Sequence, residues 1–126
     1  MNLTLIVFTA VGGGIGAVLR YIISYYVNKT LGPSFAYGTL SVNVIGSFFI
    51  GFLFLYFEHI IAPNLKTLLI TGMLGALTTF STFSLETIIM FQNGLVMKAF
   101  TNIFANVLFS LLATILGMVF FKKFFL

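Results

Sequence analysis

The chain has no cysteine, no tryptophan, two prolines, one histidine and two acidic residues among 126. Without cysteine there are no disulfides, thiolate metal ligands or thiol nucleophiles. One histidine and two separated glutamates are too few for most metal sites or for a paired-carboxylate mechanism, so no enzyme is expected. Charged residues make up 6% of the chain, where a soluble domain carries about 25%. That shortage excludes a soluble globular domain, a disordered tail and a nucleic-acid binder. The formal net charge of +4 arises from six Lys and Arg spread along the chain, so there is no basic patch. What fills the chain instead is apolar: 60% hydrophobic, 17% aromatic, with a mean hydropathy of +1.18. These values describe a small integral membrane protein.

The few charges divide the chain into apolar runs. A spanning helix needs about 20 mostly apolar residues, and the runs predict four helices, at about 3–27, 37–58, 66–91 and 96–121. Gly32-Pro33 breaks the chain after the first. Glu58, His59 and Pro63 mark the second connection, and Gln92-Asn93-Gly94 the third. The first run starts at Leu3 with no Lys or Arg before it, and no small-residue cleavage site follows a short core. A retained helix is therefore expected rather than a signal peptide. The reading is a single four-helix transmembrane domain over 1–126, all-α, multi-pass in the cell membrane, and small enough that oligomerisation is expected.

With four spans, both termini share one side with the connection between the second and third. That side carries Lys66, Lys122 and Lys123; the other carries Lys29 and Lys98, with Arg20 leaning towards it. The positive-inside rule gives almost no orientation from so even a tally. Either one lysine near the first helix decides, or the chain inserts both ways. Two opposed copies would then form a two-fold dimer with its axis in the membrane plane, the two-chain version of an inverted repeat.

Polar and small residues recur inside the spans. The first helix holds Gly12-Gly13-Gly14-Ile15-Gly16-Ala17 and then Arg20-Tyr21. Small residues let membrane helices approach closely. Arg20 either lines a polar vestibule, where it would concentrate anions, or snorkels to the headgroups. The second helix carries Asn43 and Ser47 at i, i+4; Asn43 either bonds a neighbouring helix or donates to a passing anion. The third helix places Thr78, Thr79, Ser81, Thr82 and Ser84 just after Gly72 and Gly75. Such a run suggests a helix break with freed backbone groups; the alternative is a continuous helix whose hydroxyls bond back to i−4 carbonyls. Phe80 and Phe83 share a face at i, i+3, either as packing or with their positive ring edges turned to an anion path. On the fourth helix Asn102, Asn106, Ser110 and Thr114 follow one another every four residues, drifting about 40° per step. They form either a polar track or a polar helix–helix seam. Glu86 closes the third helix at the interface or sits in a pore mouth.

Together these motifs resemble the Fluc (CrcB-type) fluoride channel family. The matching pieces are Gly12-Gly13-x-x-Gly16-Ala17-x-x-Arg20-Tyr21, Gly38-Thr39-Leu40-x-Val42-Asn43-x-x-Gly46, and Gly72-x-x-Gly75-x-x-Thr78-Thr79-Phe80-Ser81-Thr82-Phe83. The similarity covers nearly the whole chain and is loosest in the fourth helix. The resemblance implies an antiparallel, dual-topology homodimer with two fluoride pores, each drawing on both subunits, and a broken third helix. It implies a structural sodium ion on the dimer axis, held by the backbone carbonyls of Gly75 and Thr78 from both chains. It further implies that Phe80 and Phe83 present ring edges to fluoride and that Asn43 donates to it. Ser81, Thr82 and Ser110 would extend the polar track, Arg20 would line a vestibule, and Glu86 is a weaker candidate near one pore end.

The expected function is passive, fluoride-selective export that lowers cytoplasmic fluoride. Two rivals differ in class. A small dual-topology multidrug exporter depends on an acidic residue within its first helix, and here that helix has Arg20 and no acid. A non-transporting membrane scaffold requires the stripe on the fourth helix to be packing alone. The even charge tally makes one prediction of its own: a tag on the C-terminus is accessible on both faces of the membrane in cells. Strictly one-sided labelling would refute dual topology.

Overall fold

The computed structural model describes all 126 residues and is built from helices joined by short turns, with no strand. Helix α1 spans Leu3–Leu31 and α2 spans Tyr37–His59. The third span is composite. It begins with α3 (Pro63–Lys66), widens into a π-helical segment (Thr67–Leu74) and narrows into α4 (Gly75–Leu77); after two extended residues it resumes as α5 (Phe80–Gln92). Helix α6 covers Val96–Phe125. Four units, with Pro63–Gln92 counted as one, are long and apolar enough to cross a membrane.

The ends of these helices follow local chemistry rather than charge. Asn2 caps α1 by accepting the Thr4 N–H at 2.8 Å, a role asparagine fills well. The helix then runs past Asn28 and Lys29, four residues beyond its expected end, and stops at Gly32 with φ 84°. Glycine tolerates that left-handed conformation, and its N–H closes on the Asn28 carbonyl at 2.8 Å. Pro33 cannot continue the helix. The third span starts three residues early because Pro63 occupies the first turn, where its missing N–H costs nothing. Helix α6 continues beyond 121 through Lys122 and Lys123 in its last turn, where cations complement the helix dipole. Glycine and proline thus set where α1 ends and where the third span begins.

The spans pack as two close pairs, both made by glycine. In the first, α1 lies on the π-helical segment. A Cβ on Gly12 would stand 2.0 Å from the Leu68 carbonyl oxygen, one on Gly16 would stand 2.1 Å from that of Met73, and one on Gly72 would stand 2.6 Å from that of Thr9. In the second, α2 lies along α6 through a reciprocal pair. A Cβ on Gly51 would meet the Thr114 carbonyl oxygen at 2.1 Å, and one on Gly117 would meet that of Phe48 at 2.0 Å. Backbone touches backbone at all five sites, the use of small residues expected between membrane helices. Between the pairs, Val42, Leu74 and Leu77 form a buried apolar core. Only 21 of the 126 residues are buried, and many large apolar side chains face outward.

The α2–α6 pair yields a direct test. Gly51→Ala and Gly117→Ala should each lower the thermal unfolding midpoint of purified protein. The overpacking cost is about 1–3 kcal/mol, offset in part by the roughly 1 kcal/mol helix preference of alanine over glycine. Unchanged midpoints for both variants would show that these backbones are not in contact.

Candidate functional site

The third span breaks at Thr78 (φ −80°, ψ 153°) and Thr79 (φ −145°, ψ 118°), both extended. The continuous-helix alternative is thereby set aside. A break at membrane depth needs substitute hydrogen bonds, since lipid supplies none. Asn43 on α2 provides two of them. Its Oδ1 accepts the Thr79 N–H at 2.8 Å, and its Nδ2 donates to the Thr79 carbonyl at 3.2 Å. The second Nδ2 hydrogen goes to Asn106 Oδ1 at 2.9 Å. On the near side of the break, Thr78 donates its N–H and its hydroxyl to the Leu74 carbonyl, at 3.1 and 3.0 Å. On the far side, Thr79 Oγ1 caps α5 by accepting the Thr82 N–H at 3.1 Å and lies 3.4 Å from the Ser81 hydroxyl.

These substitutions have a consequence for two carbonyls. In an unbroken helix the Gly75 carbonyl would accept from the Thr79 N–H, and the Thr78 carbonyl from the Thr82 N–H. Both donors are diverted, to Asn43 Oδ1 and to Thr79 Oγ1. The carbonyls of Gly75 and Thr78 are left without their helical partners. Gly75 is exposed and Thr78 half-buried. No group of three His, Cys, Asp or Glu side chains converges anywhere in the protein, so a cation bound here would rest on neutral oxygens.

Two cavities flank the break, with Thr79 in the wall of both. The first, about 420 Å³, carries Asn43, Ser47, Gly75, Thr78, Phe80, Phe83, Asn106 and Ser110, with no charged residue in its wall. The Phe80 and Phe83 rings meet edge to face, 5.4 Å between centroids at 61°. Their exposures differ sharply: Phe83 is 9% exposed and Phe80 79%. The second cavity, about 560 Å³, is lined by Arg20, Tyr21, Ser24, Asn28, Thr39, Thr82 and Glu86 among others. Arg20 therefore forms part of a cavity wall. Glu86 lies in the same wall, where its Oε1 accepts the Thr39 hydroxyl.

The predicted residues are thus sorted into groups. Asn43, Phe80, Phe83 and Ser110 come together with Gly75 and Thr78; Thr82 joins Arg20 and Glu86 on the opposite side. Ser81 is exposed and lines neither cavity. The stripe on α6 divides as well. Asn102 and Asn106 are buried in a seam, bonded to Thr87 and Asn43. Ser110 reaches the first cavity, and Thr114 bonds back to the Ser110 carbonyl at 3.1 Å. Sequence reasoning missed Thr79, the hinge of both cavities, and Thr39 and Thr87. A serine–threonine run announces a break without indicating which hydroxyl caps it, and a lone threonine in a span carries no signal until its partner is known.

A four-span membrane protein, glycine-packed and broken by two threonines beside an uncharged aromatic groove, is the class that this fold and site define. Residues 7–118 match the family described as "CrcB-like protein, Camphor Resistance (CrcB)", and the chain belongs to that family. A protein of Sulfurovum sp. (strain NBC37-1) is 56% identical over 119 residues, covering 94% of both chains. One from a Nitratiruptor species is 50% identical over 123 residues, covering 98% of this chain and 96% of its own. One of Shewanella loihica (strain ATCC BAA-1088 / PV-4) is 50% identical over 113 residues, covering 89% and 91%. All three bear the name "Fluoride-specific ion channel FluC".

Proposed function

We propose that this protein is a fluoride-specific ion channel that lets fluoride leave the cell passively, down its electrochemical gradient across the cell membrane. Near-full-length similarity to proteins so named supports the activity. The observation that carries the mechanism is the first cavity, in which an amide, a serine hydroxyl and an edge-to-face phenylalanine pair gather with no full charge. Fluoride is small and strongly hydrated, and it must exchange that shell for protein donors. Asn43 N–H, Ser110 O–H and the positive ring edges of Phe80 and Phe83 replace part of it. Permeation needs binding that is weak and multi-site; a lysine or arginine in this groove would hold the ion too long. Both Asn43 amide hydrogens are already engaged, so fluoride competes for a bonded donor rather than falling onto a free one, which keeps the site shallow.

The second cavity is read as the vestibule. Arg20 raises the local anion concentration there, and Thr82 continues the donors towards the break. Glu86 engages the Thr39 hydroxyl rather than an incoming anion.

The functional unit is read as an antiparallel homodimer. Phe80 is 79% exposed beside the unpartnered carbonyls of Gly75 and Thr78, and lipid cannot satisfy such groups. A second, inverted copy would cover them and supply the other wall of the groove, in keeping with the even charge tally. Four carbonyls, two from each copy, suit a sodium ion. Neutral oxygens without a charged side chain are the donor set that alkali cations accept. Bound there, sodium would brace the two breaks with a fixed positive charge. The exporter reading is disfavoured by the absence of any acid in α1, and the scaffold reading by a groove lined with converging donors.

The test is efflux from liposomes holding purified protein, followed with a fluoride electrode, with chloride loaded in parallel and the voltage clamped by ionophore. Fast fluoride release with little chloride release is expected. Phe80→Ile and Phe83→Ile should each slow fluoride release roughly fivefold or more, since an aromatic edge contributes on the order of 1 kcal/mol, while the dimer stays intact. Wild-type rates in folded variants would remove the ring edges from the pathway. No fluoride release from folded wild-type protein would remove the channel reading itself.

A further inference from the structure

A chain of side-chain hydrogen bonds leaves the third span at Thr79 and returns to it at Phe83, passing through α2 and α6. It starts at the Thr79 N–H, accepted by Asn43 Oδ1 at 2.8 Å. Asn43 Nδ2 donates to Asn106 Oδ1 at 2.9 Å. Asn106 Nδ2 donates to Asn102 Oδ1 at 3.1 Å and to the Asn102 carbonyl at 2.8 Å. Asn102 Nδ2 donates to Thr87 Oγ1 at 2.9 Å, and Thr87 donates to the Phe83 carbonyl at 2.7 Å. Asn102 is 0% exposed, and Thr87 and Asn106 are 5% exposed. No buried side-chain nitrogen or oxygen lacks a partner.

Every bond in this relay points the same way, and its direction is forced from the ends. A threonine hydroxyl has one hydrogen. Thr87 directs it to the Phe83 carbonyl, so towards Asn102 it can only accept. Asn102 must then turn its NH2 to Thr87 and its Oδ1 to Asn106. Asn106 must turn its NH2 to Asn102 and its Oδ1 to Asn43. Asn43 is left with its NH2 towards Asn106 and its Oδ1 on the Thr79 N–H. Reversal of any one amide would set donor against donor, or acceptor against acceptor, in a buried seam where an unmade bond is strongly destabilising.

We infer that Thr87 and Asn102 are positioning residues for ion passage: the Asn102–Thr87 bond ties α5, which carries Phe80 and Phe83, to α6 and so to the Asn106–Asn43 pair in the groove wall. Neither lines the groove that Asn43 and Asn106 line, so they act through the elements they join. The inference rests on the fluoride-channel reading. Without the Thr87 hydroxyl, the buried Asn102 Nδ2 loses its acceptor and α5 loses its side-chain bond to α6. Asn106 and Asn43 stay oriented by the Asn102 carbonyl and by the Thr79 N–H and C=O, so what shifts is the placement of α5, and with it Phe80, Phe83 and the Thr79 contact of Asn43.

The test compares Thr87→Val, which keeps the shape and removes the hydroxyl, with Thr87→Ser, which keeps the hydroxyl. Fluoride and chloride release from liposomes is measured alongside the nitrogen-15 NMR signal of the Asn43 side-chain amide. Thr87→Val should slow fluoride release about tenfold or more, the effect of one lost buried hydrogen bond, and shift the Asn43 amide signal. Thr87→Ser should restore both. Wild-type fluoride release with an unmoved Asn43 signal in Thr87→Val would overturn the inference. Deuterium exchange on the wild-type protein does not depend on how a variant folds. Slow exchange of the Asn43 and Asn102 side-chain amides is expected, and exchange at the rate of a free amide would overturn the relay. A wild-type protein that releases no fluoride would instead remove the channel reading, and the amide signal and exchange rates would still decide whether the relay exists.

Discussion

The structure depends on a two-point contact between one side chain and one backbone unit: the Asn43 amide against the N–H and C=O of Thr79. A membrane span can leave the helical path only where something other than water satisfies its main chain. Asn43 does so with the same pair of groups that a neighbouring peptide would offer. Because it takes the Thr79 N–H, and because Thr79 Oγ1 takes that of Thr82, the carbonyls of Gly75 and Thr78 lose their helical donors. The break therefore leaves unsatisfied oxygen on one side while it aims α5 and its two phenylalanines on the other.

Close packing makes this contact rigid. Gly51 and Gly117 bring α2 and α6 to backbone distance, so Asn43 and Asn106 can meet across the seam. Gly12, Gly16 and Gly72 hold α1 against a segment that has widened to i→i+5 hydrogen bonding before the break. π-helical turns are uncommon and cluster at functional sites; here eight residues of one lead directly into the three-residue helix that ends at Leu77. The two cavities share Thr79 as their common wall, so the uncharged groove and the cavity holding Arg20 and Glu86 are separated by the break itself.

Much of this is legible in the sequence. Apolar run lengths announce four spans, Gly32-Pro33 announces the first stop, and hydroxyl residues packed behind two glycines announce a break. These signals are local, and each follows from a rule about one stretch of chain. The unread features join residues distant in sequence. Asn43 serves as two donors and an acceptor for positions 36 and 63 residues away, and spacing on α2 alone does not distinguish that from a free amide. The α6 stripe is uniform in sequence because its period is uniform. Its division into a buried seam at Asn102 and Asn106 and a groove position at Ser110 depends on what α2 and α5 place opposite. The π-helical stretch has no composition of its own and packs against the glycine face of α1. The helices run past their expected ends near Lys29 and Lys122 because a charge stops the apolar layer without stopping the helix.

The most direct measurement is fluoride release from liposomes carrying Asn43→Asp protein that is shown to be folded. Aspartate has the shape of asparagine and keeps an oxygen for the Thr79 N–H, but it loses both hydrogens that meet the Thr79 carbonyl and Asn106. It also puts an acceptor where an anion needs a donor. Release close to that of protein-free vesicles is predicted. Release at the wild-type rate would contradict a pathway built on the Asn43 amide.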